Sequence, residues 1–291
     1  MLRVRHITRY RYARPVHFGE HRMMLRPRED PDQTLVFERL RITPEPGRIE
    51  LDRDAHGNFL AIAQFDSPWH ELCFDSEILV ARGAETPLPR PPLPGLRPFP
   101  LGGRAGDRDP AAWARRFMAL GDGEALGALA AMNAHIHRVF TYRRRLERGV
   151  QTPEETLRLR SGACRDFAVL LIAAARSLGL KARFVSGYVH CPSSEERPVR
   201  RGGGHTHAWA QVLTPQAGWV DFDATSGRVG SEGLIRVAVA DDPADAVPIQ
   251  GVYLGEAADF LHMQVEVSVE SEAPPFNSPV LLEPSQLWGV A

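Results

Sequence analysis

The stretch "SGACRDFAVLLIAAARSLGLKARFVSGYVH", residues 161 to 190, changes character partway along. Its first part has the apolar spacing of a helix, with Ser161 placed as N-cap and Gly179 as the stop. From Arg183 the pattern becomes that of a strand. Upstream, "DPAAWARRFMAL" opens on Asp109, an N-cap residue, with Pro110 at the first helical position. "GEALGALAAMNAHIHRVF" reads as a second helix, and "TPEETLRLRSG" as a short one with a Thr152/Glu155 capping box. Downstream come "HTHAWAQVL", "GWVDFDAT" and later "HMQVEVSVE", all strand-like. Helices followed by antiparallel strands predict an α+β fold.

The beginning of the chain is different. Leu2, Val4, Tyr10 and Tyr12 alternate, as do Val36, Leu40 and Ile42, then Phe59, Ala61, Ala63 and Phe65. "HELCFDSEILVA" adds a further strand, and turn residues separate the segments. Residues 1–85 are therefore expected to form an all-β domain. "TPLPRPPLPGLRPFP", 86 to 100, can be neither helix nor central strand, because proline fixes φ and lacks the amide hydrogen. It predicts a linker over 86–108, a core over 109–230 and a C-terminal extension over 231–291, whose strands pack on the core or the N-terminal domain.

The 291 residues are 43% hydrophobic and 24% charged, with a net charge of −1. That balance gives no reason to expect nucleic acid or a membrane surface as partner. The apolar run over 168 to 175 is too short to span a bilayer, and the arginine-rich N-terminus is not expected to be a secretory signal. Three scattered cysteines, Cys73, Cys164 and Cys191, make no disulfide framework. The expected location is the cytoplasm, where a thiol stays reduced.

Cys164 lies where the strongest helix begins. Unpaired amides and the positive end of the helix dipole favour a thiolate there. A nucleophilic thiol also needs a base, and the base an orienting acceptor. "GGGHTHAWAQVLTPQAGWVDFDATSG" reads as a hairpin. A turn centred near Pro215 sets His207 opposite Asp223 and Trp209 opposite Asp221. A slip of one or two residues exchanges the two acids, so spacing leaves the choice open. His205, His207, Trp209 and Gln211 share one face, read as polar; Thr206, Ala208, Ala210 and Val212 share the other, read as buried. His190, Cys191, His205 and His207 are close in sequence, but they lack the paired-cysteine spacing of zinc sites, and no metal or other cofactor is expected.

"GACRDFAVLLIAAARSLGLKARFVSGY", "HTHAWAQV" and "GWVDFDAT" together resemble the core of bacterial transglutaminase-like proteins, members of the papain-like cysteine-enzyme superfamily. "HITRYRYARPV" with "DAHGN" resembles the β domain that precedes this core in bacteria. The resemblance implies a papain-like core with Cys164 as nucleophile, His207 as general base and Asp223 as orienting acid. Asp166 fits the family pattern as support near the helix N-terminus, and Trp209, in "HAW", is a further oxyanion or supporting candidate. Tyr142, in "FTYRRR", is a candidate second oxyanion donor beside the Cys164 amide. Family members commonly carry proline after the acid, where this chain has Ala224, so a looser turn is expected there. The implied substrate is a peptide or protein amide, with water or an amine acceptor resolving a thioester. The rival expectation is a binding or scaffold protein that keeps the shape without turnover.

Overall fold

A computed structural model describes residues 1–83, 108–118, 124–145, 147–190, 206–215 and 217–272. The expected proline-rich linker lies outside the described residues up to position 107, as do Cys191, His205 and positions 273–291. No described helix is long and apolar enough to cross a membrane.

Residues 1–83 form strands β1 (Leu2–Met23), β2 (Gln33–Thr43), β3 (Arg48–Arg53), β4 (Phe59–Gln64) and β5 (Trp69–Arg82). The first half of β1 pairs antiparallel with β5, and its last residues, His21–Met23, pair with β4. Its register with β5 shifts between Arg11 and Val16. Such an irregularity bends a strand, and here one strand serves two parts of a sheet.

The helical part begins with α1 (Pro110–Met118), whose first amides, at Ala111 and Ala112, donate to the Asp109 carboxylate. Next come α2 (Ala125–Val139), β6 (Thr141–Tyr142) and α3 (Pro153–Leu159), the last opened by the reciprocal Thr152/Glu155 box. Then follow β7 (Ser161–Gly162) and α4 (Cys164–Ser177). Helix α4 ends as the sequence indicates, with Gly179 at φ +80°. Its start differs. Ala163, not Ser161, is the N-cap residue, because Ser161 pairs with Thr141 in the short parallel β6–β7 bridge.

Strands β8 (Ala182–Val189), β9 (His207–Thr214), β10 (Gly218–Asp223), β11 (Arg228–Val229) and β12 (Leu234–Ala240) make an antiparallel sheet in the order β11-β10-β9-β8-β12. Because β12 lies beyond residue 230, the core runs further than the expected boundary. Two more strands, β13 (Ile249–Leu254) and β14 (Phe260–Ser271), return to β1 and complete a seven-stranded N-terminal sheet. The C-terminal extension thus supplies strands to both sheets.

Residues Ala208, Ala210 and Val212 of β9 share a hydrophobic cluster with Phe167, Leu170, Leu171 and Ala174 of α4. The opposite parity of β9 is buried as well: His207, Trp209 and Gln211 are each at most 3% exposed. This face, read as polar and suited to a site or to solvent, is not a solvent face: Trp209 clusters with Val185, Val189, Leu234 and Val239, and Gln211 accepts from the Arg183 guanidinium. Tyr188, Ile235 and Val237 cluster with Leu2, Val4, Ile78 and Val80.

Edge strand β12 shows how the two parts are joined. A sheet edge exposes unpaired backbone groups. Here the Gln33 side chain accepts from the Arg236 amide and donates to its carbonyl, at 2.9 and 2.8 Å. Asn58, in "DAHGN", does the same at Val239, at 2.9 and 2.7 Å. Two side-chain amides from the N-terminal domain therefore stand in for the missing neighbouring strand. His6 adds a buried contact, with Nδ1 2.9 Å from the Tyr188 hydroxyl.

Candidate active site

The start of α4 is built around Asp166, which is fully buried. Its carboxylate accepts from the amides of Ala163 (2.8 Å) and Gln151 (2.7 Å) and from the Arg145 guanidinium (2.7 Å). Asp166 thus fixes the chain on both sides of the helix start. Gly162 is needed there, because a Cβ would lie 2.8 Å from the Asp166 Cβ. Cys164 is consequently the first residue of the helix, and its amide has no intrahelical acceptor. The thiol is half-buried.

Tyr142 is held beside this point. It pairs with Gly162 in the β6–β7 bridge, and the next amide, of Arg143, donates to the Gly162 carbonyl at 2.8 Å. Its hydroxyl has no hydrogen-bond partner among the described residues. Burial, reinforced by Cys164, pushes the phenol up to about 12, so it remains a donor.

His207 is the first residue of β9 and is 2% exposed. Its Nε2 lies 3.0 Å from Asp223 Oδ2. Neither ring nitrogen has a conventionally aligned hydrogen bond among the described residues, so charge and proximity hold the pair. Unliganded sites often tighten such geometry only when substrate is bound. Burial works against the charged imidazole. The charge of Asp223, its side-chain contact and then Cys164 outweigh burial, and His207 titrates well above the ordinary histidine range. The carboxyl of Asp223 is opposed by burial too, yet falls to about 2 under His207, Ser226 and Thr225.

The hairpin reaches this arrangement by a register other than the expected one. Gly218 pairs with Thr214 and Phe222 with Ala210, so Asp221 faces Gln211. The hairpin turns later than a centre on Pro215, with Thr214 Oγ1 accepting from the Ala217 amide at 3.2 Å. His207 meets Asp223, and Trp209 meets Asp221, along diagonals that long side chains can span. The two acids do not exchange roles. Trp209 Nε1 donates to Asp221 Oδ1 at 2.7 Å, while the Trp209 ring lies 5.9 Å from that of His207, tilted by 31°. Trp209 therefore packs beside the base and does not reach towards an oxyanion.

The turn after Asp223 is closed rather than loose. The Gly227 amide donates to the Asp223 carbonyl at 2.8 Å, and Gly227 has φ +79°. The Asp223 carboxylate accepts from the Thr225 amide (3.0 Å) and the Ser226 hydroxyl (2.6 Å). Ala224 needs no proline to hold this shape. Thr225 and Ser226 were not singled out from sequence, although "DATSG" carries the pattern of an aspartate capping its own turn.

Three further residues escaped sequence reading. Buried Arg236 bonds Asp221 Oδ2 (2.7 Å) and Asp30 Oδ2 (2.9 Å) and also contacts Asp32. Asp30 and Asp32 lie about two hundred positions ahead of Arg236 in sequence, so spacing offered no signal. Among the described residues, no three His, Cys, Asp or Glu side chains gather as metal ligands would.

Residues 2–81 match the bacterial transglutaminase-like N-terminal region, and residues 111–224 match the transglutaminase-like superfamily. An uncharacterized protein of Mycobacterium tuberculosis is 31% identical, with 91% of each chain covered. One of Bacillus subtilis is 32% identical over 74 residues, which is 23% of this chain and 10% of that one. A solved structure from Cytophaga hutchinsonii, described as that of a candidate cysteine protease, has a TM-score of 0.63 at 21% identity. It covers 96% of this chain and 94% of its own, and the likeness is one of fold.

Proposed function

The chain belongs to the transglutaminase-like superfamily, and from that premise we propose that it is a cysteine-dependent acyl-transfer enzyme acting on peptide or glutamine-type amides. The observation that carries this is the buried His207–Asp223 pair, 3.0 Å apart, beside a cysteine at a helix start. Burying an ion pair costs several kcal/mol of desolvation. A scaffold of the same shape gains nothing from that cost, whereas a base that must hold a proton does.

In the proposed reaction His207 takes the thiol proton on Nδ1 as the Cys164 sulfur attacks the amide carbon. Asp223, on Nε2, fixes the tautomer and stabilises the imidazolium. The tetrahedral oxyanion is held by the Cys164 amide and the Tyr142 hydroxyl. Collapse breaks the C–N bond, and the departing nitrogen takes the proton from His207. Water then hydrolyses the thioester, or an amine captures it. The proposal includes a peptide or protein substrate and a cytoplasmic location, where the thiol stays reduced.

The test is a peptide library offered with and without a primary amine, read by mass spectrometry. Cleavage, conversion of glutamine to glutamate, or amine addition is expected, each lost in Cys164→Ala. Binding without any mass change, or turnover that persists in Cys164→Ala, overturns the proposal.

A further inference from the structure

The stretch from Arg143 to Val150 is described except at position 146, and the two residues after Cys164 hold it in place. Asp166 receives the Arg145 guanidinium and the Gln151 amide, at 2.7 Å each. Arg165 donates to the carbonyls of Glu147 (2.6 Å), Gly149 (2.7 Å) and, less closely, Arg145 (3.4 Å). The Arg143 amide is bonded to Gly162, two residues ahead of the cysteine. The first turn of α4 thus fixes a neighbouring segment as well as the nucleophile.

That segment displays three exposed arginines, Arg143, Arg144 and Arg148. None has a carboxylate or hydrogen-bonding partner for its side chain among the described residues. Strand β1 treats arginine differently: Arg3, Arg5, Arg9, Arg11 and Arg14 all reach a Glu or Asp within 4.0 Å. The acids near the active-site segment are already engaged. Asp166 is buried on Arg145, and Glu147 lies 3.6 Å from the same guanidinium. Arg144 and Cys164 both act on the Tyr142 phenol, in opposite directions, so Arg144 shares the electrostatic surroundings of the thiol.

We propose that Arg143, Arg144 and Arg148 receive a carboxylate of the acyl-donor substrate, so that the amide attacked by Cys164 comes from an acidic peptide. The proposal rests on the acyl-transfer reading and names its substrate class. Guanidinium groups match carboxylates in geometry, and exposed charges of one sign beside a site act on encounter and KM. The carboxylate has two possible sources, a Glu or Asp side chain near the attacked amide or the free C-terminus of the peptide.

The test compares iodoacetate with iodoacetamide at Cys164, by peptide mass spectrometry, in the wild-type chain and in Arg143→Glu/Arg144→Glu with and without Arg148→Glu. The imidazolium of His207 itself favours the anionic reagent, so the deciding quantity is the change in the rate ratio between proteins. Any general change in thiol reactivity cancels in that ratio. We expect it to fall about tenfold in the variants, with 0.5 M salt shrinking the difference. Calorimetry on Cys164→Ala reads the same preference without chemistry. Peptides with Glu in place of Gln, or with a free C-terminus in place of an amide, should bind more tightly, and the arm that shows the gain identifies the source. An unchanged ratio, or equal binding of all four peptides, overturns the carboxylate site. It would leave acyl transfer standing, since that fails only if Cys164→Ala retains turnover or no turnover is found.

Discussion

Asp221 and Asp223 leave β10 on the same face, two residues apart, and each is at most 2% exposed. Their partners separate them. Asp221 accepts from Arg236 and Trp209, donors that keep their protons. Burial raises its carboxyl, and Arg236 pulls the other way. Asp223 faces His207, whose proton can leave, and its carboxyl drops to about 2. One acid can only hold structure together, through a guanidinium that also contacts Asp30 and Asp32 of the N-terminal domain. The other can set the charge of a base. A buried carboxylate is thus assigned its work by what it faces rather than by its place in the strand.

Replacing the nucleophile should give the largest effect. Cys164→Ser is expected to lower turnover by about 10⁶-fold, as for nucleophile replacement in other triads, with an unchanged circular dichroism spectrum. Next comes the contrast between the two acids. Asp223→Asn should cost about 10⁴-fold in turnover of the folded fraction, by favouring the wrong tautomer. Asp221→Asn should instead cost stability, by about 3–5 kcal/mol in urea unfolding, because Arg236 is left without one buried partner. Its folded fraction should keep most of the activity. If Asp221→Asn abolishes turnover without loss of stability, the contrast is broken.

The contrast also has a pH signature. His207 is raised in the folded state, so its contribution is complete below the ordinary imidazole range and fades as pH climbs through the raised value. Asp223 is lowered, so its contribution is complete above about pH 4 and fades towards pH 2. The stability difference between wild type and Asp223→Asn should therefore be greatest from about pH 4 to 6.5 and narrow above it. Thermal scans across that range check this, and a difference that widens with rising pH contradicts it. His6, at the junction of the two sheets, should behave oppositely and more weakly. Burial lowers it to about 4, so its contribution is present above pH 6.5 and is lost as pH falls from 6.5 to 4. His6→Gln should flatten part of that loss in the thermal midpoint.

The parts legible in the sequence were those whose cause is local. Asp109 with Pro110, the Thr152/Glu155 box and Gly179 act within one helical turn, and each helix ends or begins beside them. The alternating strands of the first 82 residues were legible for the same reason. Ser161 misled because a serine before a helix looks like a cap, whereas a bridge to Thr141 takes it away. Alternation along β9 does not separate a buried from an exposed face, because His207, Trp209 and Gln211 are buried on Asp223, Asp221 and Arg183 of the same sheet. The Gln33 and Asn58 contacts with β12 were invisible, since each joins positions about two hundred apart and depends on how the parts dock. Among the site residues, the acid was decided by resemblance, not spacing, and the actual diagonal register shows why spacing was insufficient.

The dependence of Cys164 on the imidazole of His207 is most directly read from the rate of iodoacetamide addition at pH 6, wild type against His207→Ala. In the wild-type chain Cys164 should react at least about tenfold faster than Cys73, and His207→Ala should remove that advantage. Equal rates at Cys164 in the two proteins, or equal rates at Cys164 and Cys73 in the wild type, would mean that the imidazole does not prepare the sulfur.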